Sequence, residues 1–304
     1  MRDYWVSICL ALVSSLAAQE QPALRAILSA RGLLGEAQTA IQRGDPAKAL
    51  DLANRAVIAC PSLPEAWMMR GRLRAGAGLQ PSAAGDFAKV IELQPRNHEA
   101  YLERALARLR QGRVPRAIED YDRAIVLVPA LAPQVWPRGL ALGLEGRWAD
   151  ARRQFESHRA LSTNDVELAA WHFLSVAKID GLTQARAALL PVTDDPRVPM
   201  PEVHAMLTGR CGPDEVRTAA NAAPAGTNTV GSLAHFYAGL YIALYHDAAG
   251  EPGDAVQALQ PVVAGAERFG LIGDVARLYL DRLRALEPAR EEEPPGPTAA
   301  ESVH

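Results

Sequence analysis

Cysteine is scarce in this sequence, with Cys9, Cys60 and Cys211 the only three among 304 residues. They form no CxxC pair, no haem-attachment CxxCH and no spacing typical of a zinc site. Cys60 and Cys211 lie far apart along the chain, so a disulfide between them is not favoured. The sequence therefore excludes a disulfide framework, and no cofactor is expected.

Catalytic and nucleotide-binding motifs are absent as well. The sequence has no P-loop, no dinucleotide fingerprint, no GxSxG and no HExxH. His235 and His246 lie too far apart on one predicted helix to share a metal ion. Asp194 and Asp195 stand in a proline-bounded loop, where we expect both carboxylates to be solvated. We therefore predict that the chain is not an enzyme and holds no metal.

Aromatic residues make up only 6% of the chain, and just three lysines occur beside many arginines, a bias typical of GC-rich bacterial genomes. Ala and Leu dominate the 49% of hydrophobic residues, and both are strong helix formers, so the composition favours an all-α fold. The formal net charge is −3, and no arginines alternate with aromatics as in single-strand binders. Nucleic acid is therefore not a predicted partner.

Residues 1–18 have the pattern of a secretory signal peptide. An apolar, uncharged stretch from Val6 to Ala18 ends in small residues, which predicts cleavage after Ala17 or Ala18. The stretch is too short to span a bilayer, which needs about 20 residues, and Cys9 stands too early for lipidation. We expect a periplasmic or secreted protein without a stable membrane anchor; the alternative is a buried N-terminal helix.

A 34-residue period organises the sequence after this leader. Successive frames share a small residue at positions 8 and 20, three of them share an aromatic at position 24, and the first three share a proline at position 32. The small residues are Ala37, Gly71, Ala105 and Gly139 at position 8 and Ala49, Ala83, Ala117 and Ala151 at position 20; the aromatics are Phe87, Tyr121 and Phe155, and the prolines Pro61, Pro95 and Pro129.

Each frame predicts two antiparallel helices, A and B. The small residues allow the two helices to approach closely, and the proline ends helix B because it cannot continue a helix. One pair cannot bury its apolar face alone, whereas stacked pairs can. We predict four repeats within residues 19–165, at about 30–63, 64–97, 98–131 and 132–165.

Arginines at position 7 of helix A are predicted to pair with aspartates at position 23 of helix B. The spacing brings together Arg70 with Asp86 and Arg104 with Asp120. In the fourth repeat Arg138 faces an amide, Gln154, so we expect the ion pair to be missing there. These arginines are therefore assigned to the scaffold.

Residues 30–163 resemble the tetratricopeptide repeat family, most closely in PEAWMMRGRLRAGAGLQPSAAGDFAKVIELQP and HEAYLERALARLRQGRVPRAIEDYDRAIVLVP. The resemblance implies a right-handed superhelical solenoid of helix pairs. It also implies a concave groove lined by helix A positions 2, 5, 9 and 12. Those positions hold Glu65, Met68, Arg72 and Ala75 in the second repeat, Glu99, Leu102, Leu106 and Leu109 in the third, and Pro133, Trp136, Leu140 and Gly143 in the fourth. Among them, the predicted peptide-binding residues are Met68, Arg72, Leu102, Leu106, Leu109, Trp136 and Leu140.

The predicted groove is mostly apolar, with Arg72 as its one central charge. Such a surface suits an extended or helical peptide with hydrophobic anchors. In this family a groove that holds a C-terminal carboxylate has Lys and Asn at set positions. Met68, Leu102 and Leu106 occupy such places, so that mode is not expected. The alternative is that the C-terminal helices fold back and fill the groove.

Residues 166–286 continue as irregular helix pairs and a final capping helix. The pairs are predicted at VELAAWHFLSVAK with LTQARAALLPV, at PEVHAMLTGR with GPDEVRTAANAA, and in SLAHFYAGLYIALYHDAAGEPGDAVQALQPVV. Trp171, His172 and Phe173 are assigned to the core. Tyr237, Tyr241 and Tyr245 share one helix face and are assigned to core and a solvated edge. Residues 287–304 are acidic and proline-rich, and we expect disorder there.

From the fourth repeat onward the chain resembles the NlpI-type periplasmic lipoproteins of bacteria. The resemblance rests on RGLALGLEGRWADA, AWHFLSVAKIDGLTQARAALLP, PEVHAMLTGRCGPDEV and HFYAGLYIALYHDAAGEPGDA. It implies a scaffold for cell-envelope peptidases and peptidoglycan hydrolases. The sequence thus predicts an exported adaptor with a protein or peptide partner. The alternative is a structural protein that assembles with itself, for example as a homodimer.

Overall fold

The structure is a computed structural model that describes residues 2–159, 161, 164–223 and 232–286, with the side chains of residues 2–20 left out of the description. Every regular element in these ranges is helical, as the composition predicts. The chain divides into two compact units, Met1–Glu145 and Gly146–His304, called unit 1 and unit 2 below. The predicted disordered tail, residues 287–304, lies outside the described ranges.

The described residues of unit 1 form seven α-helices, of which the first six stand in consecutive pairs. They are α1 (Arg2–Gln42), α2 (Pro46–Ala59), α3 (Pro64–Gly76), α4 (Gln80–Leu93), α5 (His98–Arg110), α6 (Val114–Leu127) and α7 (Trp136–Leu144), with a short 3-10 helix at Pro129–Gln134 before α7. Helices α1/α2, α3/α4 and α5/α6 follow the first three predicted repeats. Proline at the first or second position of α2, α3, α4 and α6 supplies a preset φ where no intrahelical N–H bond is needed.

Close packing within a repeat explains the small residues at positions 8 and 20. A Cβ on Gly71 would lie 2.6 Å from a ring carbon of Phe87, so the aromatic at position 24 fills the space that the glycine leaves. Ala83, Ala105 and Ala117 are fully buried. The small core residues predicted from the period are thus confirmed in the two central repeats.

A glycine in the left-handed conformation joins helix A to helix B. Gly44, Gly78 and Gly112 have φ of 74°, 79° and 75°. A residue with a side chain is strained at such angles, so glycine is favoured at the end of a helix that turns sharply. These glycines recur at position 15 of the 34-residue frame, so the sequence itself carries a signal for this turn, which was not among the predicted features.

In the part of unit 2 that the structure describes, eight α-helices of uneven length are present. They are α8 (Trp148–His158), α9 (Val166–Asp180), α10 (Leu182–Ala187), α11 (Met200–Leu207), α12 (Pro213–Asn221), α13 (Leu233–Ala249), α14 (Pro252–Val263) and α15 (Gly270–Leu286), with a 3-10 helix at Ala266–Phe269. The predicted partner of α9 is shorter than LTQARAALLPV and ends at Ala187. Buried Ala185 keeps the small position expected there.

Helices α9 and α13 form the core of unit 2. Trp171, His172 and Phe173 of α9 are almost completely buried, as predicted. In α13 Tyr237 and Tyr241 are buried and Tyr245 lies at the edge, which confirms the division into core and rim. A helix that is apolar on nearly all sides belongs in a protein core.

The N-terminal helix α1 is continuous in its backbone from Arg2 to Gln42, and its second half is helix A of the first repeat. The predicted cleavage points at Ala17 and Ala18 lie within this helix, and cleavage there stays a prediction. Among the described residues, no helix combines the length and the apolar character that crossing a membrane would require.

Candidate functional site

Two identical ion-pair clusters hold the central repeats together. Arg70 donates to the Asp86 carboxylate through Nε at 3.0 Å and Nη2 at 2.7 Å. A second arginine, Arg74, donates to the same carboxylate at 2.9 Å. Asp86 is only 2% exposed, and a carboxylate buried this deeply needs such partners. The third repeat repeats the arrangement with Asp120, held by Arg104 at 2.7 Å and Arg108 at 2.6 Å.

Aromatic side chains at position 4 cover the same arginines. The Arg70 guanidinium lies 4.7 Å from the ring centroid of Trp67, and Arg104 lies 5.5 Å from that of Tyr101. Trp67 also donates from Nε1 to the Pro61 carbonyl oxygen at 2.8 Å. The predicted pairs are therefore confirmed, and the guanidinium groups of these arginines stabilise the packing of the helices within each repeat.

Arg138 has no acid at the partner position of its own repeat, as predicted, because Gln154 stands there. Its Nε donates to Oδ1 of Asp122 on α6 at 2.6 Å, so an ion pair is present, with an aspartate that the repeat frame did not single out. Asp122 stands two residues after the position that pairs in the other repeats. An arginine side chain is long enough to reach this acid of the preceding repeat, so Arg138 forms an inter-repeat ion pair in place of the intra-repeat one.

A groove with a volume of about 930 Å³ opens on unit 1. Its apolar surface comes from α1, α2, α3 and α4, and its ionisable lining residues are Glu65, Arg72 and Glu99. The apolar lining residues are Ile41, Pro46, Ala47, Leu50, Pro64, Met68, Met69, Leu73, Gly76, Ala77 and Val90. The volume lies within the range of sites that enclose a compact ligand, roughly 300–1,000 Å³.

Arg72 bridges two helices beside this groove. Its Nε donates to Glu103 at 2.7 Å and its Nη2 donates to Glu99 at 3.2 Å, both on α5. Partial burial acts to lower the pKa of Arg72, but the hydrogen bonds and charges of Glu103 and Glu99 outweigh it and raise that pKa. The predicted lone positive charge of the groove is therefore matched by two carboxylates.

Comparison with known families decides what these helix pairs are. Two family models, both described as tetratricopeptide repeat, match residues 30–73 and 68–134. Residues 30–134 therefore form tetratricopeptide repeats. Proteins of this family are generally scaffolds without catalytic activity. No curated protein matches the sequence.

A solved tetratricopeptide repeat structure shares the fold of this chain. A tetratricopeptide repeat protein from Parabacteroides merdae ATCC 43184 is 15% identical, with a TM-score of 0.55, over 84% of this chain and 99% of that one. The MamA protein is 18% identical over 52% of this chain and 86% of its own, with a TM-score of 0.48. The first repeat domain of Spaghetti (RPAP3), bound to the HSP90 peptide SRMEEVD, is 22% identical over 34% of this chain and 82% of its own, with a TM-score of 0.33.

The seven predicted groove residues do not all lie together in this repeat protein. Met68 and Arg72 line the groove described above, whereas the other five are outside its lining. Leu102, Leu106 and Trp136 are half-buried, and Leu109 and Leu140 are completely buried. The groove instead includes Ile41 and Leu50 from the first repeat, which we did not predict because that repeat lacks the aromatic residues that marked the others.

Unit 2 contains a buried polar network that the sequence analysis missed. Lys178 donates to Oδ1 of Asp247 at 2.6 Å and to the Asp247 carbonyl oxygen at 2.9 Å. Tyr279 donates to Oδ2 of Asp247 at 2.5 Å, and its ring packs edge-on against Trp171 with centroids 5.4 Å apart. Burial, followed by the charge of Asp247, raises the pKa of Tyr279 well above its usual value. The network ties α9, α13 and α15 together.

The prediction that both acids of the proline-bounded loop are solvated was wrong for Asp195. This residue is 7% exposed and accepts hydrogen bonds from Arg197 at 2.6 Å and from the Val166 backbone N–H at 3.3 Å. Arg197 also pairs with Glu167 and lies 5.8 Å from the ring centroid of Tyr237. Since these charges fix the loop against α9 and α13, a structural role accounts for them.

His246 has closer neighbours than the sequence indicated. Its Nδ1 lies 2.7 Å from Oε2 of Glu251, and the carboxylate of Asp254 completes a group whose donor atoms lie within 4.8 Å of one another. Glu251 and Asp254 are exposed and flank the N-terminus of α14, where acids are favourable because of the helix dipole. His235 is engaged elsewhere, at 2.6 Å from the Ser232 hydroxyl.

Proposed function

We propose that this protein is a scaffold that binds a partner protein by holding a peptide segment in the groove of unit 1. The observation that carries the proposal is the groove itself, which exposes Ile41, Leu50, Met69 and Leu73 beside the largely buried Met68. Apolar side chains left accessible in a concave surface mark interaction sites. Tetratricopeptide repeat domains bind proteins and peptides, which supports the same role for this groove.

The proposal is tested by placing a large side chain in the groove at a position where it does not disturb the packing of the helices. Gly76 lines the groove, its φ is not left-handed, and a Cβ there would meet no atom within 4 Å. Gly85 has the same freedom but lies on α4 outside the groove lining. Peptides recovered on the full chain from a random twelve-residue display library should bind Gly76→Trp at least about tenfold more weakly than wild type. The matched variant Gly85→Trp should bind them normally; equal binding to both variants would refute the groove.

We further propose that the protein is exported to the periplasm or the cell exterior, where it would act as an adaptor in the cell envelope like the NlpI-type lipoproteins. The support is the apolar leader of residues 1–18, with small residues at its end. Mass spectrometry of protein made in a bacterial host should find a chain that begins after Ala17 or Ala18. An intact N-terminus in the cytoplasmic fraction would contradict export.

Self-association is the second candidate function, and exposed leucines of α1 favour it. Leu24 and Leu28 lie one helical turn apart and are 57% and 59% exposed. Two such leucines on one face of a terminal helix are available to a second copy. Light scattering should then give a dimer that Leu24→Glu/Leu28→Glu dissociates. A monomer at all protein concentrations would exclude this candidate.

A further inference from the structure

We propose that the groove of unit 1 selects apolar peptides that carry lysine or arginine and rejects acidic ones, through the carboxylates of Glu99 and Glu103. This inference rests on the proposed function, since it names the class of peptide for the same groove. It differs from the expectation set by Arg72 alone, which would favour an acidic partner.

The preference for basic peptides is inferred from the charged residues that line and adjoin the groove. Its ionisable lining residues are Glu65, Arg72 and Glu99, so one positive group stands beside two negative ones. Glu103 adds a third carboxylate through its contact with Arg72, and Arg31 lies 3.5 Å from Glu65. The three carboxylates therefore outnumber the two guanidinium groups at this site.

Arg72 already forms ion pairs with two acids of the protein itself. Its Nε and Nη2 point at Glu103 and Glu99, so a ligand carboxylate would have to compete with both of them. Each glutamate uses one oxygen for Arg72 in these contacts and has a second oxygen that can accept from a ligand. Glu99 is 57% exposed, so this oxygen is accessible to a lysine or arginine side chain.

The apolar surface provides the anchor for the same ligand. Met69 and Leu73 of α3 lie one helical turn apart along the groove, with Met68, Leu50 and Ile41 beside them. Methionine is unbranched and adapts to ligands of different shape. A peptide with one or two large apolar side chains and a basic residue nearby would satisfy both the apolar surface and the carboxylates.

The expected selectivity is modest because the charges are half-exposed. A single ion pair at such a site changes affinity by roughly two- to fivefold, and the change shrinks as salt screens the charges. Several basic residues in one peptide would add to this preference. The preference should therefore be clear at low ionic strength and weak at about 0.5 M salt.

The test uses the composition of peptides recovered on the full chain from the random twelve-residue library. Peptides that bind wild type and are lost on Gly76→Trp should contain about two- to fivefold more Lys and Arg relative to Asp and Glu than the input library. The variant Glu99→Gln/Glu103→Gln should abolish or reverse this excess, because it leaves Arg72 as the main charge. Its matched control, Glu92→Gln/Glu119→Gln, removes two acids from α4 and α6 and should keep the excess.

The outcomes separate this inference from the groove itself. Groove-dependent peptides without a basic excess, or an excess that persists in Glu99→Gln/Glu103→Gln, would overturn the inference and leave the groove standing. If no recovered peptide depends on Gly76, the proposed function fails and the inference falls with it. Should the double variant unfold by circular dichroism, Glu99→Gln alone keeps the contact of Arg72 with Glu103 and should still reduce the excess.

Discussion

The two units of this protein are stabilised by different means. In unit 1 the same contacts recur from repeat to repeat, and the partners Arg70 and Asp86 are 16 residues apart, as are Arg104 and Asp120. In unit 2 the polar contacts do not recur with the repeat period, and the partners Lys178 and Asp247 are 69 residues apart. Short-range contacts repeat with the sequence period, whereas a long-range contact depends on how several segments pack.

The cores differ in the same way. Unit 1 buries mainly alanines, with Phe87 and Tyr121 as its large central side chains. Unit 2 buries many large side chains, among them Trp171, Tyr241 and Tyr279. A core built from small residues keeps helices at a regular distance, so helix pairs can stack and expose a groove. A core of large side chains at irregular sequence spacing fixes one arrangement of the helices, which suits a unit with a structural role.

The largest effect should come from breaking the hydrogen-bonded network around Asp247 in unit 2. Asp247→Ala leaves Lys178 without its carboxylate and Tyr279 without its acceptor, and removal of one partner of a buried pair costs about 3–5 kcal/mol. Chemical denaturation followed by circular dichroism measures the loss. The control Asp281→Ala changes an exposed aspartate of α15 and should stay within about 0.5 kcal/mol of wild type. A loss below about 1 kcal/mol for Asp247→Ala would show that the network contributes little.

A tight glycine in each unit provides the next comparison. A Cβ on Gly239 would meet Val262 at 2.6 Å and the Ala258 carbonyl oxygen at 2.9 Å, whereas at Gly71 the nearest atoms all belong to the Phe87 side chain. Since a side chain moves more easily than backbone, Gly239→Ala should cost about 2–3 kcal/mol and Gly71→Ala about 1 kcal/mol. The same denaturation experiment measures both.

The control for these glycines is Gly85→Ala, where the added Cβ meets nothing. Alanine has the higher helix propensity, so this variant should gain up to about 1 kcal/mol in stability. Equal losses for Gly71→Ala and Gly239→Ala would contradict the distinction between side-chain and backbone contacts.

A smaller effect tests whether the two ion-pair clusters of unit 1 are equivalent. Arg74→Ala and Arg108→Ala each remove one of the two arginines that hold a buried aspartate. A charged hydrogen bond of this kind contributes about 1.5–3 kcal/mol, and the two losses should agree within about 0.5 kcal/mol. Arg123→Ala, at an exposed position of α6, is the control and should be neutral. Unequal losses would mean that the repeats share geometry but not energetics.

The smallest effect is a pH dependence that should arise in unit 2. Burial lowers the pKa of His172 below its ordinary 6.5 and outweighs the hydrogen bond with Glu156. As the pH falls through that value, the unfolded chain takes up a proton before the folded chain does, so the folded state loses stability. Burial lowers the pKa of His204 as well, which acts in the same direction.

Thermal unfolding between about pH 8 and pH 5.5 measures this effect. The melting temperature of wild type should fall over this range more than that of His172→Gln, and the decrease left in the variant reports on His204. A melting temperature that falls equally in both proteins would show that His172 does not contribute.

The sequence alone determined the helical class, the 34-residue period and the pairs Arg70–Asp86 and Arg104–Asp120. Glycine turns, small residues and helix-ending prolines act within a few residues of their own position, so their period is visible in the chain. The sequence also placed Met68 and Arg72 at the groove, because position within a repeat fixes which way a helix A residue faces.

Only the tertiary structure decided where the groove lies and how its charged residues pair. The carboxylates that hold Arg72 come from another repeat, and the lining includes Ile41 and Leu50 of a repeat with no aromatic signal. The burial of Asp195 and the contact of Lys178 with Asp247 likewise join segments whose spacing follows no period. Such contacts depend on the packing of whole helices, and no local pattern in the sequence records them.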